Sequence, residues 1–452
     1  VFVENERLIA PAYAVLELTW ACPAFCPGCP GDKKKLHPTL TSAQWETVLD
    51  RLAPFVEEIR ISGGEAVNHP EFRAVVESLD RRRIPFIVFT AGLWERPRQI
   101  LALLRRSTML RGLSFSVHGA TEEVHDRFLS FRSFNALLSL LTHVKRASIP
   151  FQTSTVIGDF NKFQIKEIMR LVFELGSRFH LFRRYIGPIR PGVSILRKDL
   201  AIVLSYIQKV RNTGLPVEVD GCIPSCFFPN SFHCNAGVTH CTVDPSGNVK
   251  ACSFSEEIYG NLLESSIRRI WSGQRLRRWV SRVPADCEGC AEVSLCRSGC
   301  RALQDRFTVR YDPLMEGRLT GDGDAERPLR RSFRAQEDVG TALRQSAQED
   351  VGTALRQSAQ EDVGTALRQS AQEKFQADLR PSALFRMRKE RYGYSLILSG
   401  EVVTVPESMN WLKHFIKGAG RLGELEALYG GDAVSFILWL HQKGFVKMNR
   451  SS

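Results

Sequence analysis

Along the first 190 residues, short apolar runs alternate with stretches in which apolar residues recur every three or four positions. The first pattern reads as a buried strand and the second as an amphipathic helix. The predicted strands are Ala14–Leu18, Glu58–Ile61, Phe86–Phe89, Leu113–Val117, Phe151–Ile157 and His180–Arg183. Helical patterns cover Ser42–Leu52, Pro70–Arg81, Arg98–Arg106, Phe134–Ala147 and Phe163–Leu175. Regular alternation of this kind argues for parallel strands with helices outside them. The expected fold class is therefore α/β, and the six strands fit a partial (β/α)6 barrel.

The first predicted strand leads into Leu18-Thr-Trp-Ala-Cys22-Pro-Ala-Phe-Cys26-Pro-Gly-Cys29-Pro30, with three cysteines spaced C-x-x-x-C-x-x-C. Clustered thiolates are soft ligands that hold iron–sulfur clusters or zinc. Three are one short of a closed site, and a metal with an open position is the usual mark of a working centre. The loop at the C-terminal end of a strand is where barrel-type α/β enzymes place their chemistry. Ser62-Gly63-Gly64-Glu65 follows the second strand. Paired glycines let backbone approach a ligand closely, and a carboxylate can then meet a cation. Taken alone, such a triplet is equally a plain turn, and three thiols are equally a zinc site or unrelated core residues.

The chain has 452 residues, 43% of them hydrophobic, enough for two to four domains with real cores. Its twelve cysteines fall in metal-ligand spacings. The N-terminus reads as having no signal peptide, and no run reaches the length of a membrane span. These features predict a reducing, cytoplasmic setting with thiols devoted to metal. The net charge is +12; three 12-residue repeats carry −1 each, which leaves +15 for the rest. A basic balance favours anionic partners such as an acidic peptide or nucleic acid.

The cysteine spacing resembles the cluster motif of the radical SAM enzymes. The resemblance implies that Cys22, Cys26 and Cys29 hold a [4Fe-4S] cluster. Its open iron would bind the amino and carboxylate groups of S-adenosylmethionine (SAM), and reduction would cleave SAM to a 5′-deoxyadenosyl radical. The family usually has an aromatic residue just before the third cysteine; this chain has Gly28 there and Phe25 before the second. Gly63-Gly64-Glu65 resembles the family motif that binds the SAM methionine amine, which implies that role for Glu65 and the backbone of Gly63 and Gly64. Thr90-Ala-Gly92 sits where the family often has Thr-Asn-Gly, and with Ala91 in place of Asn only a loop role carries over. Phe115–Phe128 resembles the fourth-strand segment of peptide-modifying members, with Ser116, Gly119, His125, Asp126 and Arg127 fitting and His118 standing where Asp is usual. Ser116 and Arg127 are thereby candidates for SAM contacts, and His125 and Asp126 a structural helix-start pair. For His118 the plain alternative is a solvent-facing loop residue. Ser154 on the fifth strand and Ile186, within Tyr185-Ile-Gly187, match positions that touch ribose and adenine; for Ile186 core packing is the alternative.

Cysteines return at Cys222, Cys226, Cys234, Cys241 and Cys252, then at Cys287, Cys290, Cys296 and Cys300. Thr242–Cys252 reads as a hairpin with a Pro-Ser-Gly turn. Gly260–Trp271 reads as a turn leading into a helix with Ile267, Ile270 and Trp271 on one face. The C-x-x-C-x5-C-x3-C run would also suit a single zinc. From Cys234 to Cys300, however, the spacing resembles the SPASM extension of radical SAM enzymes, which implies one or two auxiliary [4Fe-4S] clusters. One would use Cys234, Cys252, Cys300 and an upstream thiol, Cys226 or Cys222; the other would use Cys287, Cys290 and Cys296. The family's last cysteine is absent here. Either Cys222 or Cys241 substitutes, or the second cluster keeps an open iron able to bind substrate.

Three identical copies of Ala-Gln-Glu-Asp-Val-Gly-Thr-Ala-Leu-Arg-Gln-Ser begin at Ala335, Ala347 and Ala359. One Val and one Leu per copy cannot build a core, and a Gly weakens a helix, so the stretch reads as a spacer. Beyond it, Tyr394–Leu398 and Glu401–Val405 flank Ser399-Gly400 as a hairpin. Helical runs follow at Ser408–Lys417, Leu422–Tyr429 and Asp432–Lys443, making a small winged-helix-like α+β domain. Its last helix has no Arg or Lys over Ala433–Leu440 for phosphates or base edges, so nucleic acid is not the expected partner. The unit resembles instead the PqqD-like recognition element, which captures the leader of a precursor peptide by strand addition.

The expected division is a radical SAM partial barrel (1–190), a connecting segment (191–221), a SPASM domain (222–312), a linker with the repeats (313–374) and a PqqD-like peptide recognition domain (375–452). The expected function is modification of a ribosomally made precursor peptide by hydrogen abstraction. The outcome would be a crosslink, an epimerised residue or a backbone excision of the splicease kind. The expected partners are the precursor peptide, with its leader on the C-terminal domain, and a reductant such as flavodoxin or ferredoxin, with no membrane. Two other classes stay open: a radical SAM enzyme acting on a small molecule such as a tetrapyrrole, and a non-catalytic iron–sulfur or nucleic-acid-binding protein.

Overall fold

The computed structural model describes residues 8–31, 39–229, 234–306 and 312–315. Near the C-terminus it describes 380–383, 386–389, 393–398, 401–406, 431–442 and 446–449, with residues 409, 412, 415, 425 and 428 between them. The three repeats lie outside the described residues, as does most of the predicted helices Ser408–Lys417 and Leu422–Tyr429. The chain divides into two compact units, Tyr13–Ser346 on the one hand and Val1–Ala12 with Ala347–Ser452 on the other.

In the larger unit the predicted alternation is realised. The strands are β1 (Tyr13–Glu17), β2 (Glu58–Ser62), β3 (Phe86–Thr90), β4 (Leu110–Ser116), β5 (Phe151–Ile157) and β6 (His180–Arg184). Each is parallel to the next. The helices between them are α1 (Ser42–Leu52), α2 (Phe72–Arg82), α3 (Pro97–Arg106), α4 (Glu122–Leu129), α5 (Phe134–Arg146) and α6 (Ile165–Glu174). The capping box at α1 shows why such a helix starts where it does. The Thr41 hydroxyl accepts from the Gln44 N–H, and the Gln44 side chain accepts from the Thr41 N–H at 3.0 Å. A cap of this kind contributes about 1 kcal/mol. Trp45, Val48, Leu49 and Leu52, spaced at helical intervals, then bury the inner face of α1.

Two differences from the sequence reading matter. Strand β4 begins three residues earlier than predicted, because Leu110 joins Phe86 across a register shift. The sheet also has more than six strands. The segment predicted as a connector carries α7 (Arg197–Asn212) and β7 (Val217–Asp220), which pairs in parallel with β6. At the opposite side β8 (His240–Val243) pairs in parallel with β1, and β9 (Asn248–Lys250) and β10 (Ile258–Asn261) follow antiparallel. The strand order is β10-β9-β8-β1-β2-β3-β4-β5-β6-β7. Without β8, β1 would be an unpaired edge with open backbone donors and acceptors. The cysteine-rich region is thus built directly onto the strand that leads into Cys22.

The predicted hairpin turn at Asp244-Pro-Ser-Gly247 is present, with Asp244 Oδ1 accepting from the N–H groups of Ser246 and Asn248. Four short helices complete this unit: α8 (Ile267–Trp271), α9 (Gln274–Ser281), α10 (Val293–Cys296) and α11 (Arg301–Arg306). Ile267, Ile270 and Trp271 are buried, as their spacing predicted. They share one core with β1, β2 and α1.

The smaller unit carries the predicted hairpin as β13 (Gly393–Leu398) and β14 (Glu401–Pro406). It also holds strands that the sequence reading lacked. β12 (Arg386–Lys389) pairs with β13, while β11 (Arg380–Ala383) pairs with β15 (Val446–Asn449). Arg-Met-Arg-Lys and Arg-Pro-Ser-Ala have no apolar alternation, so only their neighbours mark them as strands. Leu396 and Val405 of the hairpin pack against Phe436, Ile437 and Leu440 of α12 (Gly431–Gln442).

Candidate functional site

The loop from Leu18 to Gly31 carries Cys22, Cys26 and Cys29 and lies along the chain that leaves β2. Leu18 N–H donates to Ser62 O at 3.1 Å, Gly64 N–H to Thr19 O at 2.6 Å and Glu65 N–H to Ala21 O at 2.9 Å. The glycines also answer to a close approach within the chain. A Cβ on Gly63 would lie 2.2 Å from Thr19 O, and one on Gly64 would lie 2.0 Å from Ala21 O. What approaches these glycines is the cysteine loop itself.

Glu65 is 1% exposed. One carboxylate oxygen accepts from the Thr90 hydroxyl at 2.7 Å, and the other from the N–H groups of Ala91 (3.1 Å) and Leu93 (3.2 Å). Burial pushes its carboxyl up to about 7, against the pull of those donors. Thr90 in turn accepts from Gly92 N–H and from the Trp94 indole. Glu65 therefore organises the loop after β3, which is the loop role expected for Thr90–Gly92. Its three bonds leave one lone-pair direction of the carboxylate for a further donor.

The C-terminal end of α4 closes the other side of the cysteine loop. Phe25 N–H donates to Leu129 O at 2.8 Å. Phe128 and Leu129 form an apolar cluster with Ala24, Cys22 and Cys26. Opposite Gly28 stands Tyr185: a Cβ on Gly28 would lie 2.8 Å from the Tyr185 ring. The aromatic group absent before the third cysteine is supplied from the loop after β6. Sequence reasoning noted Tyr185 but could not see this juxtaposition, since the two positions are far apart in the chain.

Ser116, the last residue of β4, is the register partner of Ser154 in the middle of β5. Ile186 packs beside Cys300, Ala302 and Leu303, which favours the packing alternative noted for it. Arg127 is exposed on α4, near Gly192. His118 is buried at 6% exposure, which overturns the solvent-facing alternative. Its Nδ1 accepts from Val156 N–H, and its own N–H donates to His125 Nδ1. Burial holds His118 well below its ordinary value and pushes His125 down to about 4, so both rings are neutral. Asp126 does not start its own helix, which begins after Thr121. Its Oδ1 accepts from Ser133 N–H and Phe134 N–H, and so caps α5 instead.

The remaining thiols fall into two groups. Cys222 lies beside Cys234 and Cys300, and Cys252 packs against the same group. Beside them Arg301 is 2% exposed, and its Nε and Nη1 have no hydrogen-bond partner. A buried guanidinium without an anion costs several kcal/mol. Four thiolates around an iron–sulfur core would carry that anion, so the residues present fit such a group. The second group, Cys226, Cys287, Cys290 and Cys296, lines a cavity of about 100 Å³. Cys241 belongs to neither. It pairs with Ala14 in the sheet, is wholly buried in the apolar core, and burial pushes its thiol up to about 12. It is a packing residue, which removes it as the substitute ligand. Among the described residues no three thiol, imidazole or carboxylate groups converge on the point that one metal ion would occupy.

Comparison with known proteins agrees with this geometry. Residues 16–172 match the radical SAM superfamily, and residues 234–301 match the iron–sulfur cluster-binding domain called SPASM. The AdoMet-dependent heme synthase of Methanosarcina barkeri is 26% identical over 335 residues, 67% of this chain and 94% of that protein. The mycofactocin maturase MftC of Mycobacterium tuberculosis is 26% identical over 325 residues, 66% of this chain and 81% of that protein. Among solved structures, Streptococcus suis SuiB bound to its precursor peptide SuiA has a TM-score of 0.60 at 15% identity, covering 68% of this chain and 76% of that one. The enzyme anSMEcpe with bound AdoMet and a peptide has a TM-score of 0.53 at 16% identity, covering 65% and 90%. At such identities the structural likeness speaks for the fold. The chain carries a radical SAM domain and a SPASM domain.

Proposed function

We propose that this protein modifies a ribosomally made precursor peptide by radical SAM chemistry. The observation that carries the proposal is the three-thiol loop, one ligand short of closure, docked against Gly63-Gly64-Glu65 on one side and the C-terminal end of α4 on the other. Cys22, Cys26 and Cys29 hold the [4Fe-4S] cluster. Once loaded, that cluster supplies the electron that splits SAM into methionine and a 5′-deoxyadenosyl radical.

The chain's own residues bind and orient. Glu65, with its remaining lone pair, and the backbone at Gly63 and Gly64 take the SAM amine. Ser116 and Ser154, side by side, offer hydroxyls to the ribose, and Arg127 adds a cation at the rim. Tyr185 gives the adenine a wall, while Ile186 packs against Cys300, Ala302 and Leu303. The Cys222, Cys234, Cys252 and Cys300 group and the Cys287, Cys290 and Cys296 group would hold auxiliary clusters, which would supply an electron acceptor for the substrate, and a flavodoxin or ferredoxin would be the reductant. A reducing compartment suits a chain in which eleven of twelve cysteines are grouped in this way. Among the described residues no helix is long and apolar enough to cross a membrane.

The C-terminal unit is read as a PqqD-like capture domain. Support comes from its antiparallel sheet, in which β12 and β14 are the edges among the described strands. A leader peptide can extend such an edge through backbone hydrogen bonds and press apolar side chains against α12. The MftC likeness also favours a peptide substrate. The heme synthase likeness favours a second reading, a tetrapyrrole substrate. However, that match already spans 94% of the synthase, which leaves it little length for a counterpart of the capture domain.

The test is anaerobic reconstitution followed by incubation with SAM, reductant and candidate peptides encoded beside this protein. About 12 iron atoms per chain are expected for three clusters, with 5′-deoxyadenosine and a changed peptide mass. Changing Cys22, Cys26 and Cys29 together to Ala should abolish 5′-deoxyadenosine and leave the auxiliary iron. A colourless zinc protein would refute the proposal. Turnover of a tetrapyrrole with no peptide modified would favour the second reading.

A further inference from the structure

Cys222 and Cys226 are four residues apart, and either satisfies the spacing expected of an upstream ligand. The fold separates them. After β7 the chain turns sharply through Gly221 (φ 122°) and Cys222 (φ 28°), which brings Cys222 to Cys234 and Cys300. It then makes a tight turn, with Phe227 N–H and Phe228 N–H both donating to Pro224 O at 3.0 Å. This turn is docked on the other thiol group, since Ser225 N–H donates to Cys296 Sγ at 3.3 Å. Cys226, the next residue, lines the same cavity as Cys287, Cys290 and Cys296.

We propose that Cys226 is the fourth thiolate of the second auxiliary [4Fe-4S] cluster, replacing the absent downstream cysteine. The assignment rests on the reading that these thiols hold iron–sulfur clusters at all. It has a chemical consequence. Four thiolates close the coordination of every iron, so the second cluster has no site for substrate and acts by passing electrons only. Neither Cys222, engaged elsewhere, nor the buried Cys241 is needed. Glu292 also lines the cavity and is the competing oxygen ligand. A thiolate is the softer donor and the better match to cluster iron.

The assignment can be tested on the full chain carrying Cys22, Cys26 and Cys29 changed to Ala, so that only auxiliary clusters load, with about 8 iron atoms expected. Cys226 is an exposed thiol. Under native conditions iodoacetamide should modify it in the apoprotein and not in the loaded protein, as read by peptide mass spectrometry. In the same background Cys226→Ala should either drop the iron to about 4 or leave a cluster whose reduced EPR spectrum shifts on adding cyanide, while Glu292→Gln should do neither. Should Cys226→Ala fail to fold, the alkylation measurement still decides. Alkylation of Cys226 at full iron loading would overturn the assignment alone. Failure to load any iron would overturn the assignment together with the function proposed above.

Discussion

Arg184 and Asp312 form a bidentate ion pair out of reach of water, with Nη1 to Oδ2 at 2.7 Å and Nη2 to Oδ1 at 3.1 Å. Their side chains are 7% and 0% exposed. Arg184 ends β6, the last of the six predicted barrel strands, and Asp312 follows the cysteine-rich region. Arg184 Nη1 also donates to Cys222 O, and Asp312 Oδ2 accepts from Cys300 N–H at 2.8 Å. The pair therefore holds the backbone of Cys222 and Cys300, two of the four neighbouring cysteines. Breaking a buried pair leaves a lone charge inside, so Asp312→Leu should cost about 3–5 kcal/mol. Replacing both partners by Met and Leu should cost much less. Urea denaturation of the apoprotein measures both, and equal losses would mean that the pair matters only as packing.

Gly64 has the tightest approach to the cysteine loop. Gly64→Ala places a methyl group 2.0 Å from Ala21 O and must displace the loop. The variant should lose 5′-deoxyadenosine formation and about 4 iron atoms per chain. Gly214→Ala is the control. Its φ is also positive at 91°, but nothing lies within 4 Å of the new methyl, so it should cost only about 1 kcal/mol of backbone strain with full iron loading.

Arg301 should act through charge. A guanidinium buried beside Cys222, Cys234 and Cys300 favours the more negative, reduced state of a cluster held there. Arg301→Gln should move that cluster's midpoint potential to more negative values in a redox titration monitored by EPR. An unchanged potential with full iron would show that Arg301 serves only to stack on Trp279, over which its guanidinium lies at 5.6 Å.

A chain ending at Leu319 should cleave SAM without peptide nearly as well as the intact protein. It should modify leader-bearing peptide far more slowly, because a tethered capture domain acts by raising the local peptide concentration. Adding the excised domain in trans should restore only part of the rate. Removing one 12-residue repeat should change little, since the reach of a flexible tether varies roughly as the square root of its length. Undiminished modification by the truncated chain would assign the C-terminal unit another partner.

Buried histidines set an acid limit on stability. Burial pushes His125 down to about 4 and His180 and His240 to about 3. All three take up protons in the unfolded chain near their ordinary value of about 6.5. Their contribution is intact above that pH and is lost as pH falls toward 4 and below. Glu65 works the other way. With its carboxyl raised to about 7, its contribution is lost as pH rises through 7. Three groups outweigh one, so the urea midpoint of the apoprotein should fall between pH 6.5 and 4. His180→Leu should flatten that slope.

What the sequence determined by itself was whatever is encoded over short spans. The apolar periods located β1 to β6 and most of their helices, and the spacing of Cys22, Cys26 and Cys29 marked a candidate metal site. The apolar face of Ile267, Ile270 and Trp271 foretold α8. These features depend on neighbours within a few residues, so the local chain carries them. The tertiary structure decided the rest. Strands β11 and β12 have too little pattern to declare themselves, and they exist because partners complete their hydrogen bonds. Spacing placed Gly63 and Gly64 beside a ligand, and packing placed the cysteine loop against them. The resemblance offered Cys222 and Cys226 equally to one cluster, and Cys222 or Cys241 to the other. The fold sent the first two to different thiol groups and buried the third in the core. Which thiols meet across 60 or more residues depends on which faces of the sheet and loops come together. That is settled by burial of the shared core and by contacts such as Arg184 with Asp312, which no local pattern can announce.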